Sequence, residues 1–456
     1  MKLSSILSLT LVTVAASAQA DRVDDLIRRE MKAQNIPGVS LLITKGDNVI
    51  KRSAYGFADL GLKVKMQPDM SFESGSIGKT FTATIVMQLW EQGKLSLDDP
   101  VSKYIEKTPA SWKDITIRRM LSHTSGLPDY ALVQELRLNG EWTTEQWMTR
   151  MTALPLDFET GKQFAYSNSN YLLLGLICEK IAGHPIDQLV MERIFKPLGM
   201  THSRPSNDDI VEGRVHGYFP GEHGLIEGIK IINGYGDGGE LNTPKDLVTF
   251  ERAFREAKLL KLETVALMQT SCLQPNGRRT SYGFGWFDRK VYGHRYISHG
   301  GNTGGCGSSM TRIPDKDLTI VVMTNQANVG GDGLAQKISV ALDPDLGPKP
   351  VVESPDPNPE FSKKLQKAIV GLSKGELTQP LYSAEMSANL ATGRGKMMLP
   401  QYAPFGAMKS FSFCSIEQDA PDKIYRYRVK TADKSYIVGF WIDRDEKIYS
   451  ASIRPE

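Results

Sequence analysis

Six prolines fall within the sixteen residues Pro344–Pro359, where Leu346, Val351 and Val352 are the only large aliphatic side chains. Proline fixes φ and carries no N–H, so neither a continuous helix nor a central strand survives that density. The segment reads as a semi-rigid linker that divides the chain into 21–343 and 360–456, and each part must close its own core. With 40% hydrophobic and 23% charged residues in 456, long disorder and coiled coil are excluded. A chain of this size can bury about 70% of its unfolded surface without a metal or disulfide scaffold.

The first twenty residues run from Met1-Lys2 through an apolar stretch, Leu3 to Val14, to Ala18-Gln19-Ala20. A basic end, a hydrophobic segment and a small-residue site in that order describe an export signal, with cleavage expected after Ala20 and a periplasmic or secreted product. The apolar run is too short to cross about 30 Å of hydrocarbon, so stable membrane insertion is not expected. Removing it leaves 436 residues at net charge +2, with no basic stripe for a phosphate backbone, and nucleic acid is not an expected partner. Cys178, Cys272, Cys306 and Cys414 lie far apart with no C-x-x-C, which suggests neither a zinc site nor a redox motif. Up to two disulfides stay open in an exported protein.

Periodicity orders the larger part. Val23 to Ala33 reads as an amphipathic helix, and Pro37 to Tyr55 as two strands around Gly46-Asp47-Asn48. Ser76 to Gln92 is helical with Gly93 ending it, and Asn170 to Ile181 is a second helix closed by Gly183. Arg295 to Ser298, Gly307 to Ile313 and Leu318 to Thr324 read as strands before a last helix, Gly331 to Ala341. The expected fold is therefore α+β: an antiparallel sheet made from both chain ends, flanked by helices, with a mostly helical insertion. The smaller part is expected to be a small α+β unit of two helical segments and four strands, with Tyr425, Tyr427 and Val429 facing one way and Arg426, Arg428 and Lys430 the other.

Three elements carry chemistry. Ser76 and Lys79 lie three apart at a helix start, on one face, where terminal N–H groups can hold an oxyanion and a lysine whose charge is disfavoured can accept the serine proton. Tyr166 and Asn168 precede the helix from Asn170; a phenol there can relay a proton, and the amide both donates and accepts. His299-Gly300-Gly301 lies in a glycine-rich strand that lets a substrate approach the backbone, with the Asn302 N–H available as an oxyanion donor. Singly, each motif is as well explained by a helix cap, a core tyrosine or a flexible turn.

Taken in order, these elements resemble the serine beta-lactamase and penicillin-binding protein superfamily, in the class-C-like branch that includes esterases and D-aminopeptidases. Leu121-Ser122-His123-Thr124-Ser125-Gly126-Leu127-Pro128, Phe164 to Leu174, Pro197-Leu198-Gly199-Met200 and Tyr282-Gly283-Phe284-Gly285-Trp286 extend the likeness, which spans 37–343. The resemblance implies Ser76 as acylated nucleophile, Lys79 as its activator and Tyr166 as proton relay. It implies Asn168, His299, Gly300 and Gly301 as substrate-binding residues, and Ser76 and Asn302 N–H groups as the oxyanion hole. It implies no metal and no cofactor. His123 is expected to be a structural residue of a turn beside the cleft, and Gly234-Tyr235-Gly236-Asp237-Gly238-Gly239 a loop near the pocket. The small unit is similar to NTF2-like domains; too few strands are counted for a lipocalin-like barrel.

One position departs from the antibiotic-hydrolysing pattern: His299 stands where those enzymes keep a lysine charge. The expected function is accordingly an exported serine hydrolase acting on a small ester or a peptide amide, including one with D-amino acids. A D,D-carboxypeptidase or beta-lactamase comes second, and a noncatalytic muropeptide-binding protein third. A homo-oligomer is left open.

Overall fold

The computed structural model describes residues 22–132, 143–229, 236–327, 329, 331–377, 379–391, 393–419 and 422–456. The export segment expected at 1–20 lies outside the described residues. Contacts divide the chain into one unit running to Pro275 with Arg279–Gly347, and another of Asn276–Arg278 with Pro348–Glu456.

The first unit is built on a seven-stranded antiparallel sheet. In chain order its strands are β1 (Gly38–Lys45), β2 (Asn48–Asp59), β3 (Val64–Lys65), β4 (Phe287–Val291), β5 (His294–Thr303), β6 (Cys306–Ile313) and β7 (Leu318–Thr324), arranged β3-β2-β1-β7-β6-β5-β4. Strands from early and late in this unit meet at its centre, where β1 and β7 pair from Val39↔Thr324 to Lys45↔Leu318. Strand residues alternate between faces, and the alternation sorts two cores. Val39, Leu41, Ile43, Ile320 and Val322 pack with the helices 22–34 (α1) and Gly331–Leu342 (α5). Leu42, Val321 and Met323 face the helices Gly78–Glu91 (α2) and Asn168–Ala182 (α3) and the rest of the insertion, which also includes helix α4 (Pro244–Arg255). Both faces being covered explains why β1, β6 and β7 read as nearly continuous buried runs.

Helix α2 is buried on all sides from Gly78 to Met87, Lys79 included. An ammonium in such a place costs several kcal/mol unless acceptors surround it, so its partners define the interior of the insertion. Helix α3 ends where Gly183 takes a left-handed φ of 75°.

Leu346, at the start of the proline-rich segment, is fully buried in the first unit's core. The second unit contains helices α6 (Pro359–Ser373) and α7 (Ala384–Ala391) and a meander of β8 (Ser410–Asp419), β9 (Asp422–Lys430), β10 (Ser435–Ile442) and β11 (Ile448–Pro455). Asn358 caps α6 by accepting the Phe361 N–H at 3.2 Å, with Pro359 in its first turn. Phe361, Leu365 and Ile369 close this core against Tyr427, Val429, Val438 and Phe440. Among the described residues no helix is long and apolar enough to cross a membrane.

Candidate active site

Ser76 sits in a single tight turn, Gly75–Ile77, that feeds α2. The turn is possible because Gly75 adopts φ 56°, a left-handed conformation that a side chain would strain. Strand β5 passes so close that a Cβ on Gly75 would lie 3.0 Å from the Asn302 nitrogen, and one on Gly301 would lie 2.8 Å from the Ser76 nitrogen and inside contact distance of the Ser74 carbonyl oxygen. Ser308 on β6 ties the turn down by donating its hydroxyl to that same Ser74 carbonyl at 2.7 Å. The Ser76 nitrogen is thereby held close to strand β5 at Gly301 and Asn302, at the amino end of α2.

Lys79 stands one helical turn beyond Ser76. Its Nζ donates to Asp237 O at 2.6 Å, to Asn168 Oδ1 at 2.7 Å and to Ser76 Oγ at 3.1 Å. Asn168 opens α3 and is itself held, since its Nδ2 and its backbone N–H both donate to Asp129 Oδ1, at 3.0 and 3.2 Å. Tyr166 brings its ring to 5.2 Å from Lys79 Nζ. That ring lies 4.3 Å from the His123 ring and is nearly parallel to Phe287 at 6.2 Å.

His299 is brought to the same strand but turned inward. It is buried, its Nδ1 faces the Gly300 carbonyl at 2.8 Å, and its Nε2 lies 3.0 Å from the Tyr282 hydroxyl. A carbonyl only accepts, so Nδ1 carries the hydrogen and Nε2 accepts from Tyr282. Burial first, then the Lys79 and Arg289 charges, push the imidazole down to about 3, so it is neutral at pH 7. Gly300 is half-buried, Gly301 is pressed against the serine turn, and Asn302 is exposed.

His123 serves the frame. At φ 56° its Nδ1 accepts the Ser167 N–H at 3.1 Å and lies 3.2 Å from Asn170 Nδ2. Ser125 donates to Asn170 Oδ1 at 2.6 Å, so this turn fixes the backbone that presents Tyr166 and Asn168. Four further residues contribute to which the sequence pattern assigns no individual role. Asp129 and Tyr130 directly follow the quoted Leu121–Pro128 segment, and Asp237 lies in the glycine run whose Gly234 and Tyr235 fall outside the described residues. The fourth is Glu240, in the short strand Glu240–Asn242. Tyr130 donates its hydroxyl to Asp237 Oδ2 at 2.6 Å. Burial raises the Asp237 carboxyl and lifts Glu240 to about 8, with Asp187 and Asp237 adding to the latter. Glu240 Oε2 lies against Gly78 and has no hydrogen-bond partner among the described residues.

Comparison with known proteins identifies the family and the fold. The family model described as Beta-lactamase matches residues 23–343. Penicillin-binding protein 4* of Bacillus subtilis (strain 168) is 27% identical over 316 residues, which is 63% of this chain and 68% of that protein. A D-stereospecific amidohydrolase from Streptomyces sp. superposes with a TM-score of 0.58 at 26% identity, covering 72% of this chain and 98% of the other. The octameric penicillin-binding protein homologue from Pyrococcus abyssi shares the fold across 96% of this chain and 98% of its own, with a TM-score of 0.63 and 21% identity.

Proposed function

This chain belongs to the beta-lactamase family, and from that premise we propose that it is an exported serine hydrolase that acylates Ser76 and hydrolyses a small ester or a peptide amide, including amides of D-amino acids. The observation that carries the proposal is the buried Lys79, which reaches Ser76 Oγ at 3.1 Å while two other acceptors fix its position. In the first step Lys79 takes the Ser76 proton as Oγ attacks the substrate carbonyl. The oxyanion is held by the Ser76 and Asn302 N–H groups, and Tyr166 with Lys79 returns the proton to the departing alcohol or amine. Water then attacks the acyl-serine as the base takes its proton, the base returns that proton to the departing Ser76 Oγ, and the free acid leaves.

The neutral, inward-turned His299 supports the ranking of substrates. Where a carboxylate-binding site needs a cation, this strand offers an uncharged ring already engaged with Tyr282 and Gly300. The test is intact-mass analysis of the protein with a small activated ester, a penicillin and a fluorophosphonate, each beside Ser76→Ala. Ser76-dependent labelling with ester turnover and no penicillin adduct is expected. Rapid penicillin acylation would favour a D,D-carboxypeptidase or beta-lactamase, and absence of every adduct a muropeptide-binding protein.

A further inference from the structure

We infer that Asp129 is a positioning residue for the reaction: it orients the Asn168 side-chain amide so that oxygen, and not nitrogen, faces Lys79. The inference rests on the acyl-serine reading of Ser76 and Lys79. An asparagine amide has two ends of almost the same shape and opposite hydrogen-bonding character. Only the oxygen end can accept from an amine, so the direction of this one amide decides whether Lys79 has a second acceptor or a repelling donor beside it.

Asp129 makes the choice. Its Oδ1 accepts from Asn168 Nδ2 at 3.0 Å, which leaves Asn168 Oδ1 at 2.7 Å from Lys79 Nζ. Rotating the amide by half a turn would set oxygen against the Asp129 carboxylate and an NH2 group against the lysine, two repulsions in place of two hydrogen bonds. Asp129 is 7% exposed and Lys79 fully buried, so water does little to screen either. The carboxylate is also fixed in place. Oδ1 accepts the Ala131 N–H at 3.2 Å, and Asp129 O accepts the Leu132 N–H at 2.9 Å. The Pro128 carbonyl before it accepts the Ser167 and Ser169 hydroxyls at 3.2 and 2.6 Å. The turn that carries Asp129 is thus bonded to both residues flanking Asn168.

A carboxylate near the first turn of α3 also stabilises that helix through its dipole and its bond to the Asn168 N–H, and this alone would matter to folding rather than to rate. Kinetics separate the roles. On the full chain, single-turnover acylation by an activated ester is compared for wild type, Asp129→Asn, Asp129→Leu, Asn168→Ala and the Asp129→Leu/Asn168→Ala pair, with Ser76→Ala as reference. Asp129→Leu is expected to slow acylation about 50-fold with little change in KM. Asp129→Asn, whose Oδ1 still accepts, should recover most of the rate, and the double variant should be no slower than Asn168→Ala alone. If Asp129→Leu does not fold, Asp129→Ser, too short to reach Nδ2, takes its place in the cycle. Wild-type acylation in the variant, or losses that multiply in the pair, would overturn the inference while Ser76→Ala stays inactive. Turnover that persists in Ser76→Ala would instead overturn the acyl-serine reading beneath it.

Discussion

Lys79 Nζ lies 2.6 Å from the carbonyl oxygen of Asp237, nearer than its 3.1 Å approach to Ser76 Oγ. Asp237 comes from a segment far along the chain, so the lysine is clamped between α2 and a loop before it meets the serine. The clamp answers the cost of burying an amine, and it leaves one contact, the longest, for chemistry.

Lys79→Arg should therefore abolish acylation while the protein still folds. Arginine cannot give up a proton to act as a base, and its planar fork does not match the three acceptors. Stopped-flow release from an activated ester should fall about 1,000-fold, as for loss of a general base. Acylation within about tenfold of wild type would show that the lysine acts only as a fixed charge.

His299 predicts an acid-side loss of stability. Its folded-state value near 3 lies below the unfolded 6.5, so the unfolded chain binds the proton first as pH falls. The contribution is complete above about 6.5 and is lost progressively toward 3, roughly 2 kcal/mol of it between pH 7 and pH 5. Between those two pH values the urea unfolding free energy of wild type should fall by that amount more than that of His299→Gln. Equal losses would mean that the imidazole takes up its proton as readily in the folded chain as in the unfolded one.

Glu240 predicts the reverse sign. Burial lifts it to about 8 from 4.5, so the folded chain holds a proton that the unfolded chain has released, and stability drains away as pH rises through that window. Glu240→Gln removes the titration. Relative to wild type it should gain roughly 4 kcal/mol in going from pH 4.5 to pH 9, read from denaturant midpoints. A constant difference across that range would place the carboxyl in contact with water or with a cation.

The strands and helices were legible because their periodicity survives in the chain: β7 alternates Ile320 and Val322 against Val321 and Met323, and two cores receive them. Ser76, Lys79, Tyr166 and Asn168 were legible because two of the pairs are local, three or fewer residues apart. The contacts of Asp129, Tyr130 and Asp237 were not. Each acts across at least 39 residues of chain, through one carboxylate or one carbonyl, and such long-range bonds leave no local pattern. The inward turn of His299 was hidden for the same reason, since Tyr282 lies seventeen residues before it on a different segment. The proline-rich segment misled at its first residues, because Leu346 finds a place in the first core that composition does not reveal.

Two adjacent glycines offer the sharpest test of the oxyanion site. A Cβ on Gly301 would meet the Ser74 carbonyl and come to 2.8 Å from the Ser76 nitrogen, while one on Gly300 would come no nearer than 3.1 Å, to the Ser308 carbonyl. Backbone cannot yield as a flexible side chain can, so Gly301→Ala must push β5 and the serine turn apart. Separation of the Ser76 and Asn302 N–H groups by even a few tenths of an ångström weakens both bonds to the developing charge. Gly301→Ala should cost about 100-fold in acylation rate, and Gly300→Ala much less. Circular dichroism should show both folded, because the pairing of β5 with β6 runs from Ile297 to Thr303 and does not depend on either side chain. If Gly301→Ala acylates as fast as Gly300→Ala, the oxyanion is held somewhere other than between these two backbone nitrogens.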